Sequence, residues 1–206
     1  MVTALAYGNN LLRMGNMAFG MLTPPEPPTP TLPPYTIRMK FTDGVTPTFS
    51  KGTATQVTSS PNVWDLTYED SDWTQLLYGN SNLIEVISAN TTGVTTIKQM
   101  FTGCTALTTI SLFDTSEVTN MRSAFNSCSN LTAIPLFDTS KVTELFGTFS
   151  YCYNVQTGAL ALYQQLSAQA TLYTSHYHTF YQCGRDTVTG AAELAQIPSD
   201  WGGTAS

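Results

Sequence analysis

Cys104, Cys128 and Cys152 stand 24 residues apart, and Cys183 follows. Thiols can form disulfides or ligate a soft metal. A metal needs donors that converge on one point, whereas equivalent positions in successive repeats form a line. Neighbouring repeats bring two thiols near enough for a bridge, but parallel side-chain directions suit its dihedral poorly. A thiol in every repeat is read best as a small buried group filling a tight place in the core. His176 and His178 flank Tyr177. With Cys183 as a third ligand they could hold a metal; the other reading is a surface loop. Asp114 and Asp138 look like paired carboxylates, yet both belong to one repeated hexapeptide, so repetition accounts for them. No Ser-His-Asp order, HExxH or phosphate-cradling glycine loop can be read. The expectation is a chain with no catalytic residue, no cofactor and no metal.

These residues are positioned by a repeat. Val94-Thr-Thr-Ile97 aligns with Val118-Thr-Asn-Met121 and Val142-Thr-Glu-Leu145. The repeated core is read as Phe101, Cys104, Leu107, Phe125, Cys128, Leu131, Phe149 and Cys152. Leu112-Phe-Asp-Thr-Ser-Glu117 and Leu136-Phe-Asp-Thr-Ser-Lys141 are nearly identical. A fixed period in the twenties means stacked units that bury their apolar faces on one another. Within a unit, Leu107 to Leu112 alternates as a strand does. Val118, Met121, Phe125 and Cys128 follow the spacing of one helix face, with Asp114 and Asp138 near an N-cap. A weaker unit precedes Cys104. After Cys152 the pattern returns 31 residues on, as Phe180-Tyr-Gln-Cys183.

Four segments can be read along the chain. Residues 1–23 are apolar and Met-rich, and Leu11, Leu12, Met14, Met17 and Phe19 are candidate docking residues; a disordered tail is the other reading. Residues 24–34 hold seven prolines in eleven positions. They favour polyproline II and form a semi-rigid spacer of roughly 30 Å, or an SH3-type ligand. Residues 35–71 read as a small β cap, because Tyr35-Thr-Ile-Arg-Met-Lys-Phe41 alternates and a terminal repeat needs cover. Residues 72–206 carry the repeats and a C-terminal cap, in which Ala191 to Ile197 reads as a short helix stopped by Pro198.

Composition excludes several functions. The 206 residues are 42% hydrophobic but only 11% charged, with a net charge of −6. The few cations are scattered, so no basic stripe exists for nucleic acid. No run of 18 apolar residues occurs, so no membrane span is expected, and residues 1–22 make a poor secretory signal.

The motif carried by Phe113 to Ile134 and Phe137 to Val155, of the form FDTS-x-V-T-x-M-x-x-x-F-x-x-C-x-x-L-T, resembles the BspA-like leucine-rich repeat family of bacterial surface lipoproteins and adhesins. The resemblance implies an α/β repeat: a short right-handed leucine-rich-repeat-type solenoid of parallel strands plus short helices, with a small N-terminal β cap and an extended N-terminal arm. It also implies a role in attachment. The family's usual signal or lipid anchor is replaced here by the apolar, proline-tethered end. With the ending Gly190 to Ser206, the whole also resembles short repeat proteins carried by phages of gut bacteria.

Tyr151, Tyr153, Tyr177 and Tyr181 form a candidate binding surface, since exposed tyrosines suit glycan stacking and protein interfaces; core packing and scatter are the other reading. The function expected is non-enzymatic: a structural and attachment protein of a phage virion, docked on other virion proteins through residues 1–23. Its repeats would face a host surface glycan or protein, or a sister subunit in a homo-oligomer. A bacterial cell-surface adhesin is the alternative, and a glycan-active enzyme the remote one.

Overall fold

The computed structural model describes residues 32–169 and 173–205. The candidate docking residues Leu11, Leu12, Met14, Met17 and Phe19, and most of the proline run, lie outside them.

Strands β1 (Thr36–Phe41), β2 (Thr53–Gln56), β3 (Val63–Thr67), β4 (Leu83–Asn90) and β5 (Thr109–Ile110) make one mixed sheet in the order β2-β3-β1-β4-β5. In β1 the alternation buries Ile37, Met39 and Phe41 and leaves Arg38 and Lys40 on the other face. Arg38 grips Asp65 of β3 with two parallel bonds of 2.7 and 2.8 Å, which fixes the register Arg38↔Asp65. The β2–β3, β3–β1 and β1–β4 pairs are antiparallel; β4 and β5 pair in parallel.

This corrects the expected fold. The molecule is not a leucine-rich-repeat-type solenoid of parallel strands and short helices. Its sheet is mixed and mostly antiparallel. Its two short α-helices lie outside the repeated turns, α1 (Ala159–Ser167) in the insertion between the Cys152 and Cys183 turns and α2 (Val188–Leu194) after them. The strand read over Leu107 to Leu112 shrinks to two residues, because burial falls on Leu107, Ile110 and Phe113, every third residue rather than every second, and Leu112 turns outward.

The missing repeat helices have a backbone cause. Gln99, Ser123, Ser127 and Tyr151 sit at φ of 55°, 52°, 61° and 62°, and Gly103 and Gly147 at 75° and 64°. A left-handed residue every fourth position cannot sustain the i→i−4 bonds of an α-helix. Alternate N–H groups therefore point in different directions. Those of Met100, Thr102 and Cys104 close tight turns on Ile97, Gln99 and Phe101 at 3.0–3.2 Å. Those of Ile97, Gln99, Phe101 and Gly103 donate instead to Asn120, Arg122, Ala124 and Asn126 of the next repeat at 2.8–3.0 Å. The pattern recurs from Met121, Ser123, Phe125 and Ser127 onto Glu144, Phe146, Thr148 and Ser150. Isolated parallel bridges join Asp72, Thr96, Asn120, Glu144 and Ser175 in one row. Turns with this geometry place apolar side chains at 3 and 4 spacings, which is why a helix was expected there.

Inside the row the core is a column of rings. Phe101 and Phe125 stack at 5.1 Å and 10°, Phe125 and Phe149 at 5.1 Å and 2°, and Phe149 and Phe180 at 6.1 Å and 7°. All four are fully buried. Beyond the last full repeat the chain enters α1 at Gly158, whose φ is 101° and whose Cβ position would collide with the Ile134 carbonyl. The Glu193 carboxylate of α2 accepts from the N–H groups of Gly158 and Leu160, at 3.4 and 3.0 Å, so one helix caps the other.

Two substitutions test this packing by chemical denaturation. Phe125→Ala should lower stability by about 3–5 kcal/mol, since it removes an inner ring of the column. Gly158→Ala should cost more than about 1 kcal/mol, through left-handed strain and the collision together.

Candidate functional site

The cysteines are structural. All four are free and buried. Each repeat thiol bonds back to the turn before it: Cys104 Sγ donates to Leu77 O at 3.2 Å, Cys128 Sγ to Phe101 O at 3.2 Å, and Cys152 Sγ to Phe125 O at 3.1 Å. The Phe101 carbonyl thus accepts both from the Cys104 N–H and from the next repeat's thiol. A purely apolar residue could not do this. Burial pushes the thiols of Cys104 and Cys152 up to about 12 and those of Cys128 and Cys183 well above the ordinary range. Such thiols are poor nucleophiles and poor ligands. Among the described residues no group of three or more His, Cys, Asp and Glu is placed to hold a metal. His176 instead stacks on Trp201 at 4.3 Å and faces Asp200 with Nε2 at 3.2 Å from Oδ2.

Two surfaces remain. The first gathers three of the four candidate tyrosines. Tyr151 meets Tyr153 edge-on at 6.1 Å and Tyr181 at 5.4 Å and 90°. The Arg185 guanidinium lies 4.2 Å from the Tyr153 ring centre, and its Nη1 donates to Gln182 Oε1 at 2.6 Å. Gln182 Nε2 in turn donates to the Tyr181 hydroxyl at 3.2 Å. His178 packs against Tyr181 at 5.1 Å. These bonds hold the rings while Tyr151 and Tyr181 remain 37% and 36% exposed. Tyr177 is not part of that contact chain: it stacks on His176 at 5.1 Å. The two left-handed residues Tyr151 and Gln182 occupy equivalent places in successive turns, which is how residues 31 apart come to share one surface.

The second surface was not legible as a site. Leu112 and Leu136, at equivalent places in the repeated hexapeptide, project into solvent at 63% and 55% exposure. They line an open cavity of about 590 Å³ with Asp114, Asp138, Gln165 and Gln169. Buried Phe113 and Phe137 form its floor, with ring centres 5.2 Å apart. No helix follows Asp114 or Asp138, which corrects the N-cap reading. Each carboxylate accepts from the N–H two residues on, at 2.8 Å from Ser116 and 2.9 Å from Ser140. The Ser116 hydroxyl and N–H hold Asp114 below the usual carboxylate range; the Ser140 N–H and hydroxyl do the same for Asp138. Thr115 Oγ1 donates to Asp138 O at 2.7 Å, and Phe137 O accepts from Gln165 Nε2 of α1 at 2.8 Å.

The family described as Mycoplasma protein of unknown function, DUF285, matches residues 53–178. Neither a curated protein nor a solved structure matches the chain. Among the described residues no helix is long and apolar enough to cross a membrane.

The thiol environment sets two outcomes. Thiol-trapping reagents at pH 8 should leave all four cysteines unmodified in the native protein and label them only on unfolding. Raised folded-state values also mean stability that is present below the ordinary thiol range and lost above it. Denaturation midpoints should therefore fall as pH rises from 9 toward about 12, by about 1.4 kcal/mol per pH unit for each such thiol.

Proposed function

The chain belongs to the DUF285 family, a surface-repeat family of the BspA-like kind, and from that membership we propose that it is a non-enzymatic attachment protein. Its stacked turns hold the Tyr151–Tyr153–Tyr181 surface rigid, so ring faces meet a ligand with little entropy left to lose. One observation carries the reading: the rings are fixed by Arg185 and Gln182 yet remain open to solvent. Tyrosines so placed suit the apolar face of a sugar or a protein side chain. Arg185 also pairs with Asp186 at 3.2 Å, which leaves the patch near neutral and favours an uncharged glycan or protein surface on the host.

The carrier is the finer part of the proposal. The apolar residues 1–23 on their proline spacer support docking on a phage virion, with the body turned outward and several copies in one assembly. The family membership favours the second placement, a bacterial cell surface.

Binding of the full chain to host cells and to arrayed neutral glycans tests the function. Tyr151→Ala and Tyr181→Ala should each weaken retention by roughly tenfold, while Tyr177→Ala has a smaller effect; retention unchanged in both would reject attachment through these rings. Fractionation tests the carrier. The chain should copurify with intact particles and lose that association when residues 1–23 are deleted, whereas recovery with the cell envelope would assign it to the bacterial surface.

A further inference from the structure

The cavity over Phe113 and Phe137 has a composition that selects an occupant. Leu112 and Leu136 hold the same position in successive repeats and stand side by side in water. Two large aliphatic side chains kept exposed at matching places, over a floor of rings, form an unpartnered apolar strip. Two carboxylates, Asp114 and Asp138, border the strip, and among the described residues no Lys or Arg lines the cavity. The neighbouring Lys141 is held by Glu117 at 2.6 Å. Both carboxylates are committed to the ionised form by their bonds to Ser116 and Ser140. Gln165 and Gln169 complete the lining with uncharged amides. Two copies of the chain meeting through this face would bring both carboxylate pairs together, which disfavours self-association.

We propose that this groove docks a basic peptide segment of a partner protein, with aliphatic side chains set against Leu112 and Leu136 and Lys or Arg heads at Asp114 and Asp138. The site is separate from the tyrosine surface in every residue, and does not depend on what that surface binds. The groove is preformed: its floor is core, its carboxylates are fixed by turns, and Gln165 secures its far wall through Phe137 O and Thr139 Oγ1, both at 2.8 Å. An extended or loosely coiled segment alternating leucine with lysine satisfies the strip and the charges together.

The test titrates the full chain into a fluorescent peptide of alternating Leu and Lys, and into the same peptide with Glu in place of Lys. The Lys peptide should bind, weaken at high salt, and exceed the Glu peptide. Its affinity should drop by about tenfold or more in Asp114→Asn/Asp138→Asn and again in Leu112→Ser/Leu136→Ser. Asparagine keeps the oxygen that accepts from Ser116 and Ser140, and the leucines are exposed, so both variants should fold; Asp43→Asn serves as the charge control. Absence of Lys-peptide binding overturns the proposal, as does equal binding of the Glu peptide or affinity that survives both double variants. Dimerisation in sedimentation that the leucine variant abolishes would give the groove to a second copy instead.

Discussion

Everything in the repeat region depends on where alternate backbone N–H groups point. One set closes its own turn and the other set reaches the next repeat. The second set has no partner within its own repeat, so a single repeat has no stable form of its own. The ring column follows from this constraint. Once Phe101 N–H is tied to Ala124 O and Phe125 N–H to Thr148 O, the rings they carry must lie parallel at a fixed separation.

The same constraint explains residue types that composition alone would leave odd. A buried cysteine supplies a weak donor to a carbonyl in the preceding turn, and from within the core Thr148 and Thr179 do likewise with their hydroxyls, onto Met121 O and Leu145 O. Exposed threonines add a second bond along the row: Thr119 Oγ1 to Thr95 O at 3.1 Å and Thr143 Oγ1 to Thr119 O at 3.3 Å. The low charge and high hydroxyl content of the chain thus reflect how its repeats are joined. Ion pairs such as Lys141–Glu117 stay at the solvent edge, where they contribute little.

The 24-residue period was legible because the bonds run at that offset and demand equivalent side chains at Phe101, Phe125 and Phe149. The helix and the leucine-rich-repeat-type architecture were misread for one reason. A spacing of 3 and 4 arises equally from an α-helix and from successive tight turns, and the left-handed residues that decide between them include Gln99, Ser123, Ser127 and Tyr151, none of them glycine. The mixed sheet escaped notice because β4 looks in sequence like an ordinary first repeat, while in space it pairs antiparallel with β1 and parallel with β5. Tyr151 and Tyr181 were readable as a group, but the locking by Gln182 and Arg185 was not. The groove of Leu112 and Leu136 was hidden because repetition marks equivalent positions without telling an exposed leucine from a buried one. The apolar segment at residues 1–23 lies outside the described residues.

The row opens at Asp72 and closes after Ser175, where the N–H groups of His178 and Phe180 bond to Asp200 O and Trp201 O instead of to a further repeat. Between these two closures the turns of residues 97–103 and 121–127 make the same set of hydrogen bonds. In-frame duplication or loss of one 24-residue block would lengthen or shorten the molecule without disturbing either closure, so a lineage carrying this chain could retune its reach by recombination alone.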